Sequence, residues 1–117
     1  MIIVSKILFD KVLRRYNGIT IFPFIILKQG KNELDDSTYK ILINHEKIHL
    51  RQQLETFIIF FYPLYLFFYL KNRLKGFSHF KSYQMIPFEI ESYRNERNLN
   101  YLKNRKAYSW WKICDSD

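Results

Sequence analysis

Residues 57–70, FIIFFYPLYLFFYL, form an apolar run of fourteen residues with Pro63 near the middle. A helix that crosses a bilayer needs about 20 predominantly apolar residues, so this run falls short of a span. Glu55 and Thr56 stand at its N-terminal side, and Lys71, Arg73 and Lys75 follow it. A buried helix, a kinked hairpin and a segment lying at a membrane interface all remain open. A core helix is the commoner fate of a run of this length.

The chain around it has 117 residues, enough for a single domain (1–117) with a modest core. Apolar residues make up 48%, which excludes a disordered chain, and aromatics make up 19%. Rings with a polar edge pack tightly and also settle at membrane interfaces. A formal charge of +8 points to an anionic neighbour, either lipid headgroups or nucleic acid. One cysteine, Cys114, rules out an intrachain disulfide and suits a reducing compartment. The first residues lack the basic start, long apolar core and small-residue site of a cleaved signal peptide. The expected location is cytoplasmic or membrane-associated.

The expected class is α+β, mainly α. Ile3, Ile7, Leu8, Val12 and Leu13 fit an amphipathic helix over residues 2–16, although MIIV suits a short strand equally. Residues 18–28, GITIFPFIILK, predict a strand. Pro23 restricts it to a sheet edge, because proline cannot donate to the ladder. A polar loop follows, with Asp36 or Ser37 as the N-cap of a helix from Thr38 to at least Glu55. Residues 71–84 read as a basic connection. A last helix starts near Pro87, which suits a first helical position, and runs to about Arg105.

The helix over 38–55 carries the chemistry. His45, Glu46 and His49 spell HExxH, in a chain with only three histidines. Residues i and i+4 share one helix face, so both imidazoles can reach one metal ion. Glu46 projects to one side, where a carboxylate can take a proton from water rather than bind the metal. The plainer alternative is a solvated helix with two ordinary histidines. A zinc site needs a third protein ligand; Glu55, His79, Glu89, Glu91 and Glu96 are candidates. The stretch LRQQL continues the helix and carries Glu55 away from the histidines. His79 sits in GFSHF, where a surface histidine is the more ordinary reading. On the last helix, Glu91 ranks first because Asn95, four residues on, could accept the outer N–H of a bound imidazole. Glu89, paired at the same spacing with Tyr93, ranks second.

HEKIH on one helix and EIESYRNE about forty residues later on another resemble the gluzincin metallopeptidases, whose pattern is HExxH followed by Glu-x-x-x-Asp/Asn. The motif leading into a long aromatic run resembles the membrane-associated antirepressor-type members. The small size resembles the minigluzincins, and NHEKIHLRQQLE is similar to a motif of short, functionally unassigned bacterial proteins. The resemblance covers roughly residues 18–105. It implies zinc as cofactor, His45, His49 and Glu91 as ligands, Glu46 as general base, Asn95 behind a ligand, and a peptide or protein substrate. Tyr83 and Tyr93 could stabilise an oxyanion, with aromatic packing as their commoner role.

Such a site also constrains topology. If residues 57–70 crossed a bilayer once, the histidines and Glu91 would lie on opposite sides. The run must therefore turn back, with Pro63 a plausible kink, leaving Lys71, Arg73, Lys75 and Lys81 near an anionic surface or simply solvated. Residues 19–27 would then offer a strand edge to an extended peptide. The competing readings are a zinc-binding interaction protein without catalysis and a basic peripheral membrane or nucleic-acid-binding protein. Nucleic acid is the least favoured partner, because RLKGFSHFKSY and KNRKAYSWWK match no recognition motif.

Overall fold

The structure is a computed structural model that describes residues 1–11 and 16–115. It is α+β and mainly α. The N-terminal expectation divides in two: β1 is Ile2–Val4 and α1 is Lys6–Lys11. Val12 and Leu13 of the expected helix lie outside the described residues.

The predicted strand over 18–28 is a hairpin. β2 (Gly18–Ile21) and β3 (Phe24–Leu27) pair antiparallel, with Gly18 opposite Leu27 and Ile21 opposite Phe24. Pro23 sits in the turn, after a cis peptide bond at Phe22, so its missing N–H interrupts no ladder. β1 adds parallel to the other side of β3, giving the order β1-β3-β2. β2 is therefore an edge strand. Lys28 N donates to Asn17 O, which puts Asn17, Ile19 and Ile21 in the bonded pairs with β3 and turns Gly18 and Thr20 backbone groups outward.

α2 (Asp36–Glu55) is the longest helix. Its N-cap is Asp35, whose carboxylate accepts from Thr38 N, one residue before the expected cap. Ile43 packs with Ile25 and Leu27 under the sheet, with Tyr39, Leu42 and Leu50 at the margin. The sheet face alternates as a half-buried hairpin should: Ile25 and Leu27 are buried while Ile21 is exposed.

After α2 the chain reverses at once. Phe57 and Ile58 have φ of 55° and 67°, the left-handed region that side chains rarely occupy. These two residues, rather than Pro63, make the bend. Pro63 instead falls in the first turn of α3 (Phe61–Leu74), where a helix has no bond for its nitrogen to make. Residues 71–84 are largely helical, since α3 continues to Leu74 and α4 spans His79–Gln84. Among the described residues, no helix is long and apolar enough to cross a membrane.

The expected last helix is two shorter ones, α5 (Pro87–Asn95) and α6 (Tyr101–Asn104), and a further helix, α7 (Ser109–Asp115), forms beyond it. Pro87 does stand at the start of α5. A second core of Phe61, Ile86, Phe88 and Trp110 joins α3, α5 and α7. α2 thus packs against the sheet on one side and against α5 on the other. Replacing Leu27, fully buried, by Ala should lower the unfolding free energy by about 2–5 kcal/mol. Ile21→Ala, at the exposed edge, should change it by no more than about 0.5 kcal/mol. Urea unfolding of both variants measures the contrast.

Candidate metal centre

The polar strip of α2 does not face water. Asn44, His45, Glu46, His49, Gln52 and Gln53 are all buried, and among the described residues every buried side-chain polar atom has a partner. That rejects the solvated-helix alternative. Unpaired, such groups would each cost roughly 1–3 kcal/mol.

Three of the candidate ligands converge. His45 Nε2 lies 3.2 Å from His49 Nε2, and Glu89 Oε1 lies 3.3 Å and 3.1 Å from the two nitrogens. These groups could hold a metal ion. Three corners of a tetrahedron with bonds of about 2.0–2.1 Å are about 3.3–3.4 Å apart, so the triangle has the size of a metal's face.

The surroundings fix which groups face the triangle. His49 Nδ1 is 2.7 Å from Gln52 Oε1. That oxygen can only accept, so Nδ1 carries a proton and Nε2 is the nitrogen turned toward the cluster. On the carboxylate side, Tyr65 OH donates to Glu89 Oε2 at 2.6 Å and leaves Oε1 for the histidines. Burial, with Glu89 beside it, pushes the Tyr65 phenol far above its usual range, so it remains a donor.

The charges here are strongly coupled. Burial acts to lower the His45 pKa, but Glu89, Glu96 and Glu46 outweigh it and raise it to about 10. Burial likewise acts to raise Glu89, and the two histidines pull it well below the carboxylate range. The carboxylates around the histidines thus favour positive charge in this cluster.

Glu91 and Glu89 exchange the positions expected of them. Glu91 faces away from the histidines into a separate network. Its carboxylate accepts from Gln52 Nε2 at 3.0 Å, Tyr101 OH at 2.6 Å and Arg105. Arg105 also grips Glu55 with both terminal nitrogens, at 2.7 and 2.9 Å. Two residues along a helix rotate by about 200°, so only one of these glutamates can face α2's histidines. Asn95 orients no imidazole: its Nδ2 donates to Glu91 O, and its own carbonyl accepts from Asn44. His79 pairs with Tyr69 OH at 2.7 Å, outside the triangle. Glu96 approaches His45 Nδ1 only to 3.7 Å, too long for a hydrogen bond.

Glu46 does stand beside the triangle. Its Oε2 accepts from Thr20 Oγ1 on β2 at 2.6 Å. Gly18 makes room for it, since a Cβ there would lie 3.2 Å from Glu46 Oε1 and 3.0 Å from Leu27. Glu46, both histidines and Glu89 line a cavity of about 480 Å³. β2 forms part of its wall, and Phe61, Tyr62, Tyr65 and Leu66 of α3 form another. Tyr83 also lines it and bonds Tyr93 at 3.1 Å, while the Tyr93 ring packs on His45.

Sequence reasoning missed Tyr65, Gln52, Gln53, Thr20 and Asn44. Their one signal was polar residues recurring on the HExxH face of α2; nothing local marks Tyr65 or Thr20. Comparison with protein-family models, curated proteins and solved structures finds no match for this chain.

Two measurements separate the glutamates. Glu89→Gln should weaken binding of an added divalent metal ion by at least about a hundredfold, and Glu91→Gln by less than about tenfold, in competition titrations with a chelating dye. Glu91→Gln should instead destabilise the fold by on the order of 3 kcal/mol, because it strips a buried partner from Arg105. Acid dependence follows from the same network. Burial acts to raise the Glu91 pKa, yet Arg105, Tyr101 and Gln52 bring it below its ordinary value of 4.5. Its stabilisation is then full above pH 4.5 and lost as pH falls through the lowered folded value. The stability difference between wild type and Glu91→Gln should therefore shrink below pH 4.5 in denaturant titrations.

Proposed function

We propose that this chain is a zinc-dependent metallopeptidase of the gluzincin type, with His45, His49 and Glu89 as ligands and Glu46 as general base. The observation that carries the reading is the 3.1–3.3 Å triangle of His45 Nε2, His49 Nε2 and Glu89 Oε1 on a cavity wall shared with Glu46. Two imidazoles and a carboxylate suit zinc, which takes nitrogen and oxygen donors in catalytic sites that leave one position open. The metal would supply Lewis acidity, polarising a carbonyl and acidifying water.

The protein's own groups do the rest. Glu46, held on one oxygen by Thr20, accepts the proton of the attacking water and returns it to the leaving amine. Tyr83 and Tyr93, kept protonated by burial, are the donors available to a developing oxyanion. The outward N–H and C=O of Gly18 and the N–H of Thr20 bind the main chain of an extended substrate beside Glu46.

A second reading, a metal-binding protein without catalysis, draws on Gln53. Its amide donates to Thr20 O and accepts from Phe22 N, which takes up part of the same edge. A substrate strand then has only the Gly18 end of β2 to pair with.

Metal analysis by mass spectrometry, followed by a peptide-library digestion assay, tests the choice. Wild type should carry about one zinc per chain, and His49→Ala should lose it. Glu46→Gln should keep the zinc while cleaving about 10²–10⁴-fold more slowly. Zinc retained by wild type with no cleavage of any peptide would select the non-catalytic reading. No zinc after loading would reject both.

A further inference from the structure

α3 is apolar on both faces, but only one of them is buried. Its inner side gives Phe61, Leu64, Tyr65 and Phe68 to the second core. Its outer side, at helical spacing, presents Leu66, Phe67, Leu70 and Leu74 with exposures of 55%, 58%, 50% and 90%. The turn before it adds Phe57 at 75% and Ile59 at 68%. The left-handed φ of Phe57 holds this bend in place. A helix that is hydrophobic all round is ordinarily buried on every side, and a contiguous apolar patch of this kind marks an interaction surface.

Charge selects the partner. From Thr56 to Phe88 there is no acidic residue, while Lys71, Arg73, Lys75 and Lys81 fall within the same stretch. Lys71, Arg73 and Lys75 are exposed at the end of α3 and just beyond it. A second copy would bring a like-charged, acid-free face against this one. An anionic surface with an apolar interior complements it.

We propose that the 57–60 turn and the outer face of α3 form a monotopic docking surface for anionic lipid bilayers. Phe57, Ile59, Phe67 and Leu70 enter the headgroup–acyl boundary, and the lysines and arginine remain among the phosphates. Exposed Tyr62 and Leu66 belong both to this face and to the lining of the 480 Å³ cavity. Docking therefore sets the cavity beside the membrane, where apolar segments of membrane-bound chains are within reach. Lipid binding itself is independent of any bound metal or activity.

Flotation with vesicles of phosphatidylcholine mixed with phosphatidylglycerol, compared with pure phosphatidylcholine, tests the proposal. Wild-type protein should float with the mixed vesicles and much less with the neutral ones. Lys71→Gln with Lys75→Gln should lower partitioning roughly thirtyfold. Leu66→Gln, Phe67→Gln and Leu70→Gln together should abolish it, with circular dichroism unchanged because all three side chains are exposed. Equal flotation of that triple variant and wild type would overturn the proposal. So would failure to float, whether the protein is monomeric or forms a dimer that the triple variant dissolves in sedimentation velocity.

Discussion

Everything in this fold turns on the burial of a polar helix face. α2 lies between the sheet and α5, and its interior-facing residues are mostly those that hydrogen-bond. Each one answers to a particular neighbour. Asn44 donates to the carbonyls of Asn95, Glu96 and Asn98, at 3.2, 2.7 and 3.0 Å, where the end of α5 needs donors. Gln52 joins His49 to the Phe88 carbonyl and Glu91. Gln53 joins α2 to β2. Glu55 ties α2, through Arg105, Tyr108 N and Trp110 Nε1, to the C-terminal segment. The triangle of His45, His49 and Glu89, which could hold a metal ion, is the middle of this row, and its geometry is fixed because both flanks are.

That arrangement explains what the sequence disclosed. HExxH brings His45, Glu46 and His49 together because the spacing of one helix does so, and local spacing needs no knowledge of the rest of the fold. Pro23 and Pro63 were read as features within elements, yet both mark places where elements begin or turn. Proline excludes a backbone bond, but it does not say which end of an element it stands at. The long C-terminal helix failed for a similar reason. Residues 96–100 carry no proline or glycine to announce a break, and the break is held by Asn44 from a different helix.

Glu91 illustrates the limit most sharply. Its i+4 partner Asn95 made it the better ligand on local grounds, and both glutamates are buried on α5. The choice between them depends on the rotation of α5, which is set by distant side chains. Phe88 anchors one side in the aromatic core, and Arg105 claims Glu91 from fourteen residues away. Tyr65 supplies the remaining constraint on Glu89, from within a run whose composition pointed to packing or a membrane interface and not to a hydrogen bond. No pattern of spacing along one helix contains that information.

The residues that hold the triangle from behind are mainly neutral amides, which suits the task. A buried charge needs an opposite charge to offset its desolvation, and here Arg105 already serves Glu55 and Glu91 together. An amide carries a donor and an acceptor at the same tip. It can therefore bond two elements at once without adding charge beside the triangle. Gln52 uses its oxygen to fix the His49 tautomer and its nitrogen to hold α5. A glutamate there would lose both donor bonds and bring a second anion near Glu91, and a lysine could not accept from the imidazole. The same polar face thus settles two problems together: which nitrogen of His49 faces the triangle, and where the carboxylate that completes it must stand.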